Sequence, residues 1–153
     1  MKSFLAIKKR PLVKWSMLPD NTWFEGKVPE GYQLCICPGK YLVIDVDIDV
    51  DKNGFKNIPE YLKDELNNTF NYSTKRGGKH YWFENTSKKI LANKTSGLGI
   101  DLRVGERKEE DGRNNAGGYV VYYPNNDIRD QLHLIKSPSK ELNKWLEKLF
   151  GYV

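Results

Sequence analysis

The sequence predicts an α+β fold, an antiparallel or mixed sheet with a few packed helices, on three observations. Short apolar-alternating runs recur between Gly and Pro punctuation, as strands do. One run, Tyr41 to Val50, alternates Asp strictly with Val or Ile from Ile44 onward, with period two. The last stretch instead places Leu142, Trp145, Leu146, Leu149 and Phe150 at helical spacing. Taken in order, Leu5-Ala6-Ile7 reads as a short strand, followed by a basic turn, Lys8-Lys9-Arg10-Pro11. Tyr32 to Cys37 alternates between Gly31 and Pro38-Gly39 and reads as a strand, with Tyr41 to Val50 as the next. A helix is predicted from Asn57 to about Asn67, with Asn57 as N-cap, Pro59 in the first turn and Tyr61, Leu62 and Leu66 as its apolar stripe. Asn71 to Thr74 and His80 to Glu84 read as strands flanking the turn Lys75-Arg76-Gly77-Gly78-Lys79. Another pair is predicted at Gly99 to Val104 and Gly118 to Tyr123, separated by a charged stretch, Glu106 to Ala116, that reads as a mobile hairpin loop. Pro138, after Ser137, starts the final helix and Gly151 ends it.

Composition narrows the function classes. The 153 residues, 39% hydrophobic, 12% aromatic and 29% charged, suit one globular domain spanning residues 1–153. No apolar stretch approaches the roughly 20 residues of a membrane span, and the N-terminal apolar run is too short for a signal peptide. A cytoplasmic protein without a membrane partner is expected. The net charge of +5 fits a polyanionic partner. Cys35 and Cys37 lack a second Cys/His pair for zinc and are expected as reduced core thiols.

The most informative segment is Tyr41-Leu42-Val43-Ile44-Asp45-Val46-Asp47-Ile48-Asp49-Val50-Asp51. Its alternation gives one apolar face and one carboxylate face, with successive carboxylates about 7 Å apart at the backbone. Such a row repels itself unless cations bind or screen it, which marks a metal-site candidate. The alternative is a solvated edge strand, against which Val43-Ile44 argues. Overlapping it, positions 49 to 60 match a twelve-residue calcium loop, with Gly54 sixth and Glu60 twelfth. A β-alternating run enters that loop where an EF-hand needs a helix, so an EF-hand is not expected.

Two further segments carry chemistry. The turn Lys75-Arg76-Gly77-Gly78-Lys79 combines cations with glycines that let a backbone approach an anion, and His80 follows it. Its bland alternative is an ordinary basic hairpin. Gly99-Ile100-Asp101-Leu102-Arg103 places a single Asp inside a strand, ahead of Gly117-Gly118-Tyr119-Val120-Val121-Tyr122-Tyr123-Pro124.

Together these pieces resemble the archaeo-eukaryotic primase superfamily, specifically the small phage and plasmid primase–polymerase (prim-pol) domains, over about residues 10 to 125. An hhhDhD strand corresponds to Val43 through Asp47, a T-x-x-G-G-x-H-h-x-F element to Thr74 through Phe83, and the third motif to Gly99–Arg103 with Gly117–Pro124. An early K-x-P…W element is similar to Lys9, Pro11 and Trp15. The resemblance implies an RRM-like catalytic core and metal-dependent nucleotidyl transfer on a single-stranded DNA template in phage or plasmid replication. Asp45, Asp47 and Asp101 are implied as ligands of a two-metal Mg²⁺ or Mn²⁺ site and, with His80, as the catalytic residues. Arg76, Gly77, Gly78, Lys79, His80 and Arg103, with Lys75 beside them, are implied to bind the nucleoside triphosphate. The chain departs from the family at Arg76, where a serine is common, in the long charged loop, and in lacking a helix before the first motif. No zinc-binding or helicase segment follows, so the expectation is either a helicase or other replication protein that supplies template grip, or a domain that has lost activity. The competing expectations are a non-catalytic RRM-like module that binds single-stranded nucleic acid or nucleotide, and a metal-dependent nuclease.

Overall fold

The computed structural model describes residues 1–105, 107–108, 114–115 and 117–152. In chain order the strands are β1 (Lys2–Ile7), β2 (Arg10–Pro11), β3 (Gln33–Cys37), β4 (Tyr41–Val46), β5 (Ile48–Asp49) and β6 (Lys52–Asn53). Helix α1 (Lys63–Asn68) follows, then β7 (Asn71–Ser73), β8 (Lys79–Glu84), β9 (Lys94–Thr95), β10 (Ile100–Val104), β11 (Arg107–Lys108), β12 (Asn114–Asn115) and β13 (Val120–Val121). Helix α2 (Lys140–Leu149) comes last. The fold is α+β with antiparallel sheets, as the alternation predicts.

The central sheet has the order β7-β8-β4-β10-β9, and every neighbouring pair is antiparallel. Since β8 runs against both β4 and β7, those two strands are parallel and α1 connects them. This is a split β-α-β unit with β8 inserted, the RRM-like arrangement. Alternation along β4 then sends side chains to two different places. Leu42, Ile44 and Val46 join Tyr81 and Phe83 of β8 and Ile100, Leu102 and Val104 of β10 in a core covered by Leu66 of α1 and by Leu142, Leu146 and Phe150 at the chain's far end. Tyr41 and Val43 point the other way, with Trp82, into a second core shared with Ile36 of β3 and Val120 of β13. Those strands belong to a four-stranded sheet, β13-β3-β1-β2. The second face of the central sheet is thus half covered by another sheet, and the functional side chains lie where that cover ends.

Several local expectations are corrected. The strand predicted over Tyr41–Val50 breaks at Asp47, because the backbone there leaves β4 to bond elsewhere. The Asp47 N–H donates to the Gly99 carbonyl at 2.8 Å and its carbonyl accepts from Gly54 N–H at 2.9 Å. Residues 48–53 then form a separate tight hairpin, β5 with β6. That hairpin, not a helix, enters the calcium-like loop, and the Asp49 carboxylate accepts from the Val50 N–H at 2.7 Å. The first helix begins later than Asn57: a 3-10 turn over Gly54–Asn57 is capped by Asn53, another spans Glu60–Leu62, and α1 starts only at Lys63. Pro59, with ψ 140°, stays extended and keeps the two turns apart. The second helix begins at Lys140 because the Ser139 hydroxyl, not Ser137, accepts from Leu142 N–H. β11 pairs with β12 as the expected hairpin. The rest of that charged stretch, including its mobility, lies outside the described residues. Cys35 and Cys37 are buried and unbridged, and burial pushes the Cys35 thiol up to about 12. Among the described residues, no helix is long and apolar enough to cross a membrane.

Candidate active site

Antiparallel register assembles the site. Asp45 of β4 stands directly opposite His80 of β8 on one side and Asp101 of β10 on the other. One row further along the same face, Val43 stands between Trp82 and Arg103. Three central strands therefore offer a row of His, Asp and Asp, with a guanidinium behind it. Asp47, one step beyond the end of β4, is fixed by its bonds to Gly54 and Gly99. Carboxylate oxygens of Asp45, Asp47 and Asp101 lie within 4.8 Å of one another. Asp49 and Asp51, which continued the row in the sequence, are carried away on the hairpin.

The electrostatics are those of a site short of positive charge. Burial, then the charges of Asp45 and Asp101, push the Asp47 carboxyl above its ordinary value, with His80 and Lys9 opposing. Burial also raises Asp101, opposed by Arg103, whose Nη2 lies 3.5 Å from its Oδ2, and raised further by Asp45. Asp45 Oδ1 is buried and accepts no hydrogen bond, although His80 Nε2 lies 3.3 Å away. That distance is of ion-pair length without hydrogen-bond alignment, so the oxygen is orphaned. An orphaned carboxylate oxygen within a three-carboxylate cluster suits a hard divalent cation.

His80 is held from behind. Trp82 Nε1–H donates to the Tyr72 hydroxyl at 3.1 Å, and that hydroxyl lies 3.1 Å from His80 Nδ1 and 3.4 Å from the Val121 carbonyl. Burial keeps the Tyr72 phenol protonated. Its one proton goes to the nearer partner, Nδ1, an assignment made from the hydrogen-bond network, which leaves Nε2–H facing the carboxylates. The cleft in front measures about 380 Å³ and is lined by Lys9, Trp15, Asp45, His80, Arg103 and Tyr119, among others. Trp15 and Tyr119 pack edge to face at 5.3 Å as its aromatic wall.

The predicted residues do not all converge here. Asp45, Asp47, Asp101, His80 and Arg103 come together. Lys79 points to the opposite face of the sheet, where its Nζ donates to Asn71 Oδ1 at 3.3 Å beside Tyr81, because it alternates with His80 along β8. Arg76 is exposed and close enough to Tyr123 to oppose the rise in its pKa, while Lys75 lines a neighbouring groove. The glycines shape the turn: Gly77 N–H is spent on the Thr74 carbonyl, and a Cβ on Gly78 would stand 2.2 Å from the Val46 carbonyl oxygen. Reading residues alone gave no reason to single out Tyr72, Gly54 or Gly99 as site supports. Period-two counting back from His80 does place an aromatic on the strand opposite, which is the one signal that could have found Tyr72.

Over residues 8–145 the chain matches the Prim-Pol family, described as bifunctional DNA primase/polymerase, N-terminal. The chain belongs to the Prim-Pol family. No curated protein and no solved structure matches it. Membership gives the chain a reaction class, DNA primase/polymerase chemistry, with nucleotides and DNA as substrates. Prim-Pol domains are generally metal-dependent, and the acidic triad offers oxygen ligands for a cation.

The raised carboxyls of this Prim-Pol domain give a pH prediction. Asp47 and Asp101 titrate above 3.8 in the folded chain, so from about pH 4 up to those raised values the folded state holds protons that the unfolded state has released. Acidifying cation-free protein into that window adds stability, and raising pH through it removes the gain. Melting curves in EDTA should therefore show wild type gaining on Asp47→Asn/Asp101→Asn as the pH is lowered from 7 to about 4. Millimolar Mn²⁺, which binds the ionised carboxylates, should restore wild-type stability at pH 7 and have little effect at pH 4.

Proposed function

We propose that the chain is a single minimal catalytic domain that adds nucleotides to a strand paired with a single-stranded DNA template, in the cytoplasmic replication of a phage or plasmid. The carboxylate triad with its orphaned Asp45 oxygen carries this reading. Asp45, Asp47 and Asp101 would hold two divalent cations, Mg²⁺ or Mn²⁺. Bound there, such cations ease deprotonation of the attacking 3′-hydroxyl and stabilise the departing pyrophosphate.

The chain's own side chains supply the rest. His80 Nε2–H, oriented through Tyr72, donates to a phosphate oxygen of the incoming nucleoside triphosphate. Arg103, tethered to Asp101, and Lys9 neutralise phosphate charge from two sides of the cleft, and Arg76 does so from the rim. Gly77 and Gly78 set the turn that carries Arg76. Trp15 and Tyr119 keep water from one flank. Lys79, on the far face, takes no part. A helicase or another replication protein would supply further grip on the template.

The test is extension of a labelled primer on a single-stranded template with Mn²⁺ or Mg²⁺ and mixed nucleotides. Wild type should extend it and Asp45→Ala/Asp47→Ala should not. Extension by both would detach activity from this site. Failure of both, with nucleic-acid binding intact, would favour a non-catalytic binding module. Shortening of the strand without added nucleotides would favour a nuclease.

A further inference from the structure

The turn between β1 and β2 is strained. Lys8 has φ 50° and Lys9 φ 63°, two successive lysines in the left-handed region that glycine occupies without penalty. Surrounding bonds enforce the shape: Lys9 N–H donates to Gln33 Oε1 at 2.7 Å, and the Tyr119 hydroxyl donates to the Lys9 carbonyl at 3.1 Å. The consequence is a division of the two side chains. Lys9 lines the carboxylate cleft, whereas Lys8 lines a separate groove of about 500 Å³ with Tyr32, Lys75 and Tyr123. Cleft and groove share Val121 and Tyr123, so they adjoin.

The groove's chemistry is distinctive. Its lining includes two lysines and no carboxylate, against an aspartate in the lining of the cleft beside it. Tyr32, 38% exposed, shares that lining with the two lysines. Cations for phosphates combined with an open aromatic face for a base are the two elements of single-strand nucleic-acid binding. An acidic peptide would use the lysines and leave the tyrosine without a function.

We propose that this groove carries the single-stranded template into the active site. Lys8 and Lys75 take consecutive phosphates, Tyr32 stacks on a base, and Tyr123 marks the point where the strand enters the cleft. The strained turn is the divider, with one lysine turned to the nucleotide and its neighbour to the strand. The assignment rests on the polymerase reading above for the word template; strand binding by the groove stands without it.

The experiment is fluorescence anisotropy of a labelled 20-nucleotide oligo-dT in EDTA, without nucleotides, at several salt concentrations. Lys8→Gly/Lys75→Ala should weaken binding at least 10-fold and lower the slope of log affinity against log salt by about 1.4, or about 0.7 for each lost phosphate contact. Tyr32→Ala should weaken it roughly 5- to 100-fold. Lys144→Ala/Lys148→Ala, removing two exposed charges from α2, should stay within about 2-fold of wild type. Since glycine fits the turn, Lys8→Gly should melt no lower than wild type, which separates lost contact from lost fold. Unchanged binding in the groove variants, an equal loss in the α2 variant, or no binding by wild type at 50 mM salt would each overturn the proposal. Groove-dependent binding by a wild type that extends no primer would reject the polymerase reading and leave the groove standing.

Discussion

Asp101→Asn is expected to make the protein inactive and, without cations, more stable. Asp101 and Asp45 are direct cross-strand partners, and like charges so placed cost about 0.2–1 kcal/mol. Burial raises the cost of ionising Asp101 further. Asparagine keeps the shape and removes the charge, so melting in EDTA at pH 7 should rise by about 2–4 °C for each kcal/mol relieved. Primer extension should fall by about 10³-fold, because an anionic ligand of the proposed cations is lost and with it charge stabilisation they would supply. The two effects have opposite signs, so a damaged fold cannot imitate them. A variant that melts below wild type in EDTA would show that the carboxylates are not mutually repelling, and the metal reading would lose its physical basis.

The second large effect comes from a glycine with no reactive group. A Cβ on Gly54 would lie 2.1 Å from the Gly99 carbonyl oxygen, 2.8 Å from its carbon and 2.9 Å from a Val46 methyl. Gly99 supplies the carbonyl that fixes Asp47, and Gly54 supplies the N–H that holds the Asp47 carbonyl. Gly54→Ala must push these segments apart. The expected cost is about 3 kcal/mol of overpacking, about 6–12 °C in melting temperature, together with weaker Mn²⁺ binding as Asp47 moves off its position. Gly77→Ala is the comparison: its Cβ meets nothing within 4 Å, and only its φ of 89° is strained. That substitution should cost about 1–2 kcal/mol and leave Mn²⁺ affinity intact. Equal losses of affinity in both variants, measured by titration calorimetry, would refute the role given to the Gly54–Gly99 contact.

What the sequence makes legible here is what local periodicity encodes. Asp45 on a face opposite Ile44 and Val46 follows from period two alone, as does the alternation of Lys79 with His80. The stripe of α2 is equally plain, because Leu142 and Leu146 are four apart. The end of β4 is not legible, since bonds to Gly54 and Gly99 impose it and those residues announce no pairing. For the same reason the glycine that made residues 49–60 resemble a calcium loop is there for close packing. Direct pairing of Asp45 with both His80 and Asp101 depends on strand order and register, which a single sequence states only through the order of its motifs. The order was enough for the family and too little for the positions of Lys79 and Lys9. A strained lysine pair is invisible in composition, where it reads as another basic turn.

The core behind the active site also has a direction in time. The apolar face formed by β4, β8 and β10 is covered in part by Leu142, Leu146 and Phe150, which a ribosome adds well after β10 is complete. At about 5–20 residues per second, these strands exist for a few seconds with that face only partly covered. A chain stalled between residues 105 and 140 would carry an incompletely covered apolar face able to stick to its own copies.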